Sequence, residues 1–281
     1  MSADATHGLQ PVRGPSALGG GWRRFGELLY LISVTEFKKT YFGTVLGYVW
    51  SLLRPLLLFA VLLFVFTKIV RLGSGVPHYP VLLLMNVVLF GFFSEATTTA
   101  VMSVVTQESV VRKTQFPRLV IPLSVVVTSF FNLAVNLVVV LIFIAAFGVS
   151  PAWTWLLFPL IVLVLFVFAT AVSMLLASLY VRFRDTAIIW SVVASALFYA
   201  TPVIYPIEIV PERYRDLIML NPLTAIFEQA RKWIIDPSAP GAVSAAGGWT
   251  HLLPGAAIFL GACAIGAWYF NREAPRIAEQ L

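Results

Sequence analysis

Four side chains are the best candidates for chemistry, and two of them are charged groups within or next to long apolar stretches. Glu95 lies well inside such a stretch. A carboxylate in that position either takes part in transport or is a hydrogen-bonded group that ties helices together. Arg54 either contacts an anionic lipid head group or extends to the membrane surface as an anchor. With Tyr199 and Tyr205, these residues are candidates to line a channel or contact a lipid head group.

A catalytic or metal site cannot be recognised in the sequence. It contains no GxxxxGK[ST] loop to cradle phosphate and no HExxH motif. The three histidines, His7, His78 and His251, are far apart, and the single cysteine, Cys263, lies in an apolar run and can form no disulfide within one chain. We therefore expect no enzyme activity, no metal and no cofactor in this chain.

A short basic segment at residues 107–118 combines a phenylalanine with several cations. Phe116 precedes a helix-stopping Pro117. The pattern suits a knob that docks into a partner's groove while cations steer the approach, although a positively charged turn between two spans is the alternative. The polar members of the segment assigned to this coupling role are Glu108, Arg112, Lys113 and Arg118.

The elements that position these residues are membrane spans. The 281 residues are 59% hydrophobic and only 11% charged, which is far from the composition of a soluble domain. Roughly 20 apolar residues cross a bilayer as a helix, and such stretches recur along the chain. The sequence therefore predicts an all-α polytopic membrane protein with six transmembrane helices. They are placed at 56–70, 81–106, 119–147, 153–180, 186–205 and 252–270.

The distribution of positive charge predicts the orientation. The net charge is +6, and 13 of the 19 Lys and Arg residues lie before the first span, in segment 107–118, in the 181–185 turn and in the C-terminal tail. Cytoplasmic connections carry such an excess, so both termini are predicted to be cytoplasmic. Because the cations flank apolar runs, they indicate orientation and membrane lipid contact, not nucleic-acid binding.

Two regions outside the spans have patterns of their own. Residues 1–21 are rich in small residues and predict a disordered cytoplasmic tail, followed by one permease domain at 22–281. Within it, residues 22–40 predict an amphipathic helix at the membrane interface, which either anchors the protein or contacts a cytoplasmic partner. The residues assigned to this interface helix are Trp22, Phe25, Glu36 and Lys38.

The connection at residues 206–250 is the longest one outside the spans. Pro211 suits the first turn of a short helix that reaches Leu220, and Asn221-Pro222 starts a second helix that stops before Asp236. Two short amphipathic helices there form either a surface cap or a hairpin that re-enters the membrane from the extracytoplasmic side. A linker rich in small residues follows.

Six sequence stretches, in order from Trp22 onward, carry a further signal. They are EFKKTY at 36–41, LGYVW at 46–50 with Pro55, Lys113 with FPR at 116–118 and IPL at 121–123, RFRD at 182–185, TPVIY at 201–205, and NPL at 221–223 with Arg231. Together they resemble the membrane subunit of polysaccharide ABC exporters, the type-2 family of Wzm-like and TagG-like permeases.

The resemblance implies a homodimer that forms a channel in the bacterial inner (plasma) membrane. Two copies of a separate cytoplasmic ABC ATPase, which would hold ATP and Mg²⁺, would power it through segment 107–118. The cargo would be a polyprenyl-pyrophosphate-linked glycan of the O-antigen, teichoic-acid or cell-wall galactan type. Residues 206–250 would form an outer gate, for which the resemblance points to Asn221, Pro222, Phe227 and Arg231.

Three other functions remain open from the residues alone. A drug or small-lipid ABC permease of the same fold would lack a channel that holds a glycan. A membrane-embedded enzyme that transfers lipid-linked sugars would need an acidic or basic site. A proton- or ion-coupled carrier that uses Glu95 would transport without any ATPase.

Overall fold

The structure, a computed structural model, describes residues 22–41, 47–107 and 117–274, and these residues form helices and loops without a strand. This confirms the predicted all-α class. Short non-α turns occur at Val65–Ile69 (π, continuing α2) and at Leu72–Gly75, Trp153–Leu157 and Ile207–Ile209 (3₁₀). The α-helices are α1 (Trp22–Tyr41), α2 (Val49–Phe64), α3 (Tyr79–Thr106), α4 (Val120–Ala146), α5 (Phe158–Arg182), α6 (Thr186–Ala200), α7 (Glu212–Met219), α8 (Pro222–Ile234), α9 (Ala242–Ala245) and α10 (Trp249–Glu273).

Five helical stretches of the described chain are long and apolar enough to span a bilayer, so the protein is a multi-pass membrane protein. They are Val49–Ile69, Tyr79–Thr106, Val120–Ala146, Trp153–Arg182 and Trp249–Glu273.

The remaining predicted span, at 186–205, is shorter than expected. Helix α6 ends at Ala200 because Thr201 is extended, as residues before a proline usually are, and Pro202 follows. Its 15 residues reach about 22 Å, less than the roughly 30 Å of a hydrocarbon core. Long helices thus match five of the six predicted spans, and the predicted span at 186–205 contains a short apolar helix followed by a non-helical segment.

Helix α3 is the centre of the bundle. Almost every side chain in its first half is buried, including Tyr79 at 2% exposure and Phe93 at 1%. Stacked and edge-on aromatic contacts link it to its neighbours, such as Phe93 on Phe168 of α5 and Phe90 on Phe198 of α6. These contacts give the bundle one continuous apolar core.

The bundle has two distinct ends. At the terminal end, where α1 begins and α10 finishes, Phe25 packs with the last turn of α3, the first turn of α4 and the last turn of α5. At the opposite end, which we call the hairpin end, the side chain of Trp155 donates a hydrogen bond to the carbonyl of Ile234 in α8. Helices α7 and α8 form this end of the protein.

Helix α1 packs along α4. The hydroxyl of Thr128 in α4 donates to the carbonyl of Ser33 in α1 at 3.2 Å, and Phe37 lies edge-on to Phe131. The apolar stripe predicted for this helix therefore faces the bundle through Phe25, whereas Trp22 is 78% exposed. A position at the membrane interface stays a prediction.

Helix α10 approaches its neighbours at two glycines. A Cβ added at Gly266 would overlap the backbone of Ala171 in α5, and one added at Gly255 would overlap the carbonyl oxygen of Met219 in α7. Small residues at such points let membrane helices pack backbone to backbone. The last span is held against α5 in this way.

Candidate functional site

Glu95 is hydrogen-bonded within the bundle. Its Oε1 accepts from the amide of Asn132 in α4 at 2.6 Å, and the guanidinium of Arg54 on α2 is close enough to interact with it electrostatically. An ionisable side chain among apolar helices needs such polar partners. The contact with Asn132 joins α3 to α4 and fits the helix-tying role predicted for Glu95, while a role in transport stays a prediction.

The sequence reasoning missed the two asparagines of this cluster. Asn132 and Asn136 are buried in α4, four residues apart and therefore on one helix face. Polar amides within an otherwise apolar span were the available signal, because such groups need partners when they are away from water.

Arg54 and Tyr199 lie on exposed faces of the chain. Arg54 is exposed on α2, and Tyr199, at the end of α6, is 65% exposed. Ser191 and Ser195 precede Tyr199 at four-residue spacing, so these three polar side chains share a face of α6 that the described chain leaves uncovered. Among the four candidates, Arg54 is near Glu95, and Tyr205 contacts Tyr199.

The non-helical segment after α6 is held by side chains of α3. The Asn86 amide donates to the carbonyls of Pro202 and Val203, and the Tyr79 hydroxyl donates to the carbonyl of Ile204 at 2.8 Å. Backbone that is not helical needs such partners at membrane depth. The Tyr205 hydroxyl donates in turn to the Tyr199 carbonyl.

A buried ion cluster holds the hairpin end together. Arg231 of α8, 5% exposed, binds Glu208 at 2.7 Å and lies 3.5 Å from Glu228. Glu228 is 2% exposed, and its Oε1 accepts from the backbone N–H of Ile207 at 3.2 Å. The cluster therefore fixes the Ile207–Ile209 turn to α8.

The protonation of Glu228 is set mainly by its burial. Loss of solvent raises the pKa of this carboxyl to about 7, against the opposing attraction of Arg231. Glu228 was absent from the predicted sites. In the sequence, Glu228 lies with other charged residues on an amphipathic helix, so nothing indicated that its side chain is buried.

The other predicted gate residues are part of the hairpin's own structure. Asn221 caps α8 by accepting from the N–H of Leu223 at 3.1 Å and donates to the Thr201 hydroxyl at 2.7 Å. Pro222 and Phe227 are buried. These contacts explain why the hairpin bends where it does, and a gating role for its residues stays a prediction.

Most of the predicted coupling segment lies outside the described residues, including Glu108, Arg112, Lys113 and Phe116. Its last two residues, Pro117 and Arg118, are buried at the terminal end, and Arg118 is only 3% exposed. Arg118 was expected to be an exposed cation that steers a partner. Its burial beside the start of α4 does not fit that expectation.

The predicted interface residues are arranged on two sides of α1. Glu36 forms an ion pair with Lys39 at 3.0 Å, and Lys38 is exposed. Such exposed pairs contribute little to stability.

Across the described residues, no group of three or more His, Cys, Asp or Glu side chains could hold a metal ion. Most of the polar side chains traced above bind other helices or loops of the same chain. A multi-pass helical membrane protein, with short polar elements at both ends of the bundle, is the class of protein that this arrangement defines.

The comparisons with known proteins agree with this class. The chain belongs to the ABC-2 type transporter family, which matches residues 27–235. Members of this family are transport subunits, not enzymes, and associate with an ABC ATPase. The resemblance seen in the sequence is thereby confirmed.

Two relatives show how far the similarity extends. The O-antigen export system permease protein RfbA of Klebsiella pneumoniae is 30% identical over 201 residues, which cover 71% of this chain and 77% of the relative. The protein of the same name from Myxococcus xanthus is 32% identical over 205 residues, 72% of this chain and 78% of the relative.

Proposed function

We propose that this chain is the membrane subunit of an ATP-driven exporter that carries a polysaccharide linked to polyprenyl pyrophosphate out of the cytoplasm. The observation that carries the proposal is the similarity, over more than two thirds of the chain, to permeases named for O-antigen export. The glycan is of the O-antigen, teichoic-acid or cell-wall galactan type.

The orientation follows from charge. The terminal end lies in the cytoplasm of a bacterial inner membrane and the hairpin end outside, since the basic residues concentrate in the connections at the terminal end. Segment 107–118 then faces the cytoplasm. It couples the permease to two copies of an ABC ATPase, with Phe116 as the docking side chain and ATP and Mg²⁺ on that partner.

Two copies of the chain form the channel. Support comes from the faces that the described residues leave uncovered, because Arg54 on α2 and Ser191, Ser195 and Tyr199 on α6 would otherwise meet lipid. Hydroxyl and aromatic groups suit a sugar chain, and a cation suits the pyrophosphate. The hairpin of α7 and α8 closes the outer end of this channel.

A lined channel is needed because of the cargo's polarity. Each sugar hydroxyl or phosphate oxygen that loses water without gaining a partner costs several kcal/mol in hydrocarbon. A path between two protomers provides polar partners along the way. ATP-driven motion of segment 107–118 opens it.

Depletion of the protein followed by extraction of polyprenyl-linked glycans tests the proposal. We expect full-length glycan to accumulate inside the cell while the amount at the surface falls. Truncated glycan would point instead to a role in synthesis and would contradict the proposal. Unchanged glycan together with retention of a drug or small lipid would favour the alternative ABC permease.

The coupling role has its own test. Phe116→Asp should reduce co-purification with the ABC ATPase while leaving membrane insertion intact, because a charge replaces the apolar knob. Unchanged co-purification and export would remove this residue from the coupling surface.

A further inference from the structure

Helix α2 is the span that the rest of the chain covers least. Phe59 is its single buried side chain among the described residues, and its ring lies edge-on to Phe143 of α4 at 5.5 Å. Leu56, Leu62 and Leu63 pack against the same core but are only partly buried. The half of the helix that contains Arg54 buries none of its described side chains.

A missing donor in α2 creates the anchoring point. In an α-helix the carbonyl of Ser51 accepts from the N–H of residue 55, but that residue is Pro55, which has no N–H. A carbonyl without a partner is costly where water is scarce. The side-chain amide of Asn136 in α4 donates to this carbonyl at 3.1 Å.

The donor is itself held in place. The Asn136 amide also donates to the carbonyl of Asn132 at 2.8 Å, and the Asn132 amide donates to Glu95 of α3 at 2.6 Å. Glu95 in turn attracts Arg54. A ladder of polar contacts thus runs from α3 through α4 to α2 and returns to the residue that precedes Pro55.

We propose that Asn136 is a positioning residue for transport, which supplies to α2 the hydrogen bond that Pro55 removes and so fixes the exposed Arg54 at the channel surface. The backbone carbonyl of Asn132 holds the Asn136 amide in the orientation that this requires. The role of Asn136 in transport rests on the proposed function, whereas its hydrogen bond to the Ser51 carbonyl is independent of that function.

The test is a double-mutant cycle between Asn136→Leu and Pro55→Ala. Leucine has a similar size to asparagine and removes the donor, whereas alanine at position 55 restores an N–H that can bond to the Ser51 carbonyl. The coupling between such neighbours is isolated by measuring Asn136→Leu in both backgrounds. Val135→Leu, at a 38% exposed neighbouring position on α4, is the matched control.

Two quantities are measured for each variant: surface glycan in cells, and the thermal unfolding midpoint of the purified complex with its ATPase. Asn136→Leu should lower export roughly fivefold or more and lower the midpoint, since it removes the donor to the part-buried Ser51 carbonyl. In the Pro55→Ala background, Asn136→Leu should reduce both the export of glycan and the unfolding midpoint much less. Val135→Leu should behave like the wild type.

The proposal would be overturned if Asn136→Leu lowered export and the unfolding midpoint equally in both backgrounds. It would also be overturned if Asn136→Leu lowered neither quantity in either background. If Asn136→Leu alone fails to accumulate, recovery of its level by Pro55→Ala supports the proposal and persistent absence contradicts it. A wild-type protein that exports no glycan would refute the proposed function, while the unfolding cycle would still report on the hydrogen bond.

Discussion

Helices α2 and α3 are neighbours of similar apolar composition, yet they are held in opposite ways. Helix α3 buries nineteen of its side chains, whereas α2 buries only Phe59 among its described residues. Extensive burial therefore fixes α3, whereas α2 combines partial apolar packing with a few directed polar contacts. Hydrocarbon is as apolar as the helices themselves, so apolar surface alone does not decide which faces pack.

The same division extends through the bundle. Helices α5 and α10 meet backbone to backbone at Gly266, which is a packing contact. Helix α6 and the hairpin combine apolar packing with individual hydrogen bonds and ion pairs, such as Trp190 to Thr97 and Arg231 to Glu208. Loss of a close packing contact should therefore cost more than loss of one polar contact.

The largest effect is expected from Gly266→Val. Its side chain would overlap the Ala171 backbone, which has little freedom to move within the bundle, so the α5–α10 contact should open. We expect the amount of folded protein in the membrane to fall severalfold. Gly261→Val on the same helix, where no atom lies within 4 Å of an added Cβ, is the control and should accumulate normally.

The next largest effect is expected at the hairpin end. Arg231→Met leaves Glu208 and the buried Glu228 without their cation, which should cost about 1.5–3 kcal/mol of stability, because Glu208 is partly exposed and Glu228 can take up a proton. Limited proteolysis of the α7–α8 region measures this loss. Arg213→Met, which removes an exposed cation of α7, should leave the proteolysis rate unchanged. Equal sensitivity of both variants would contradict the role given to the ion cluster.

A pH dependence should follow from Glu228. Because burial raises its pKa to about 7 in the folded protein, above its ordinary value near 4.5, the folded state binds this proton more tightly than the unfolded state. Stability should therefore rise as the pH falls from about 7 towards 4.5. The difference in unfolding midpoint between the wild type and Glu228→Gln across this range checks the sign.

In that comparison Glu228→Gln should be the more stable protein above pH 7 and should lose this part of the pH response. If the wild type instead became less stable as the pH fell, and the unfolding midpoint of Glu228→Gln changed with pH in the same way, the titrating group would lie elsewhere.

The smallest effect is expected from Trp190→Phe. The indole N–H of Trp190 donates to the Thr97 hydroxyl at 3.1 Å, and its loss should cost about 1 kcal/mol. A shift of a few degrees in the unfolding midpoint, with normal accumulation, is the expected result. If Trp190→Phe reduced the amount of folded protein as much as Gly266→Val does, packed and polar contacts would not differ in the way proposed.

Much of the fold could be predicted from apolar length and helix punctuation. Pro211 and Asn221-Pro222 predicted helices at 211–220 and 223–235, and the structure has Glu212–Met219 and Pro222–Ile234. The predicted span at 186–205 extends beyond helix α6, because the apolar residues Val203 and Ile204 continue the run although the backbone is not helical from Thr201 onward.

Which residues meet across helices could not be predicted. Glu95 was recognisable as a charge in an apolar span, but its partner Asn132 is 37 residues away, and helix spacing alone does not reveal which faces pack. Likewise Arg231 was assigned to an outer gate, and its burial between two carboxylates depends on the hairpin's fold.

The central claim is that this chain forms the path of an ATPase-powered polysaccharide exporter. The most direct measurement is ATP-dependent movement of a polyprenyl-linked glycan across proteoliposomes that contain the chain and its ABC ATPase. We predict transport that requires both proteins and ATP and that stops when the ATPase is inactivated by mutation. Transport by this chain alone, driven by an ion or proton gradient, would contradict the account.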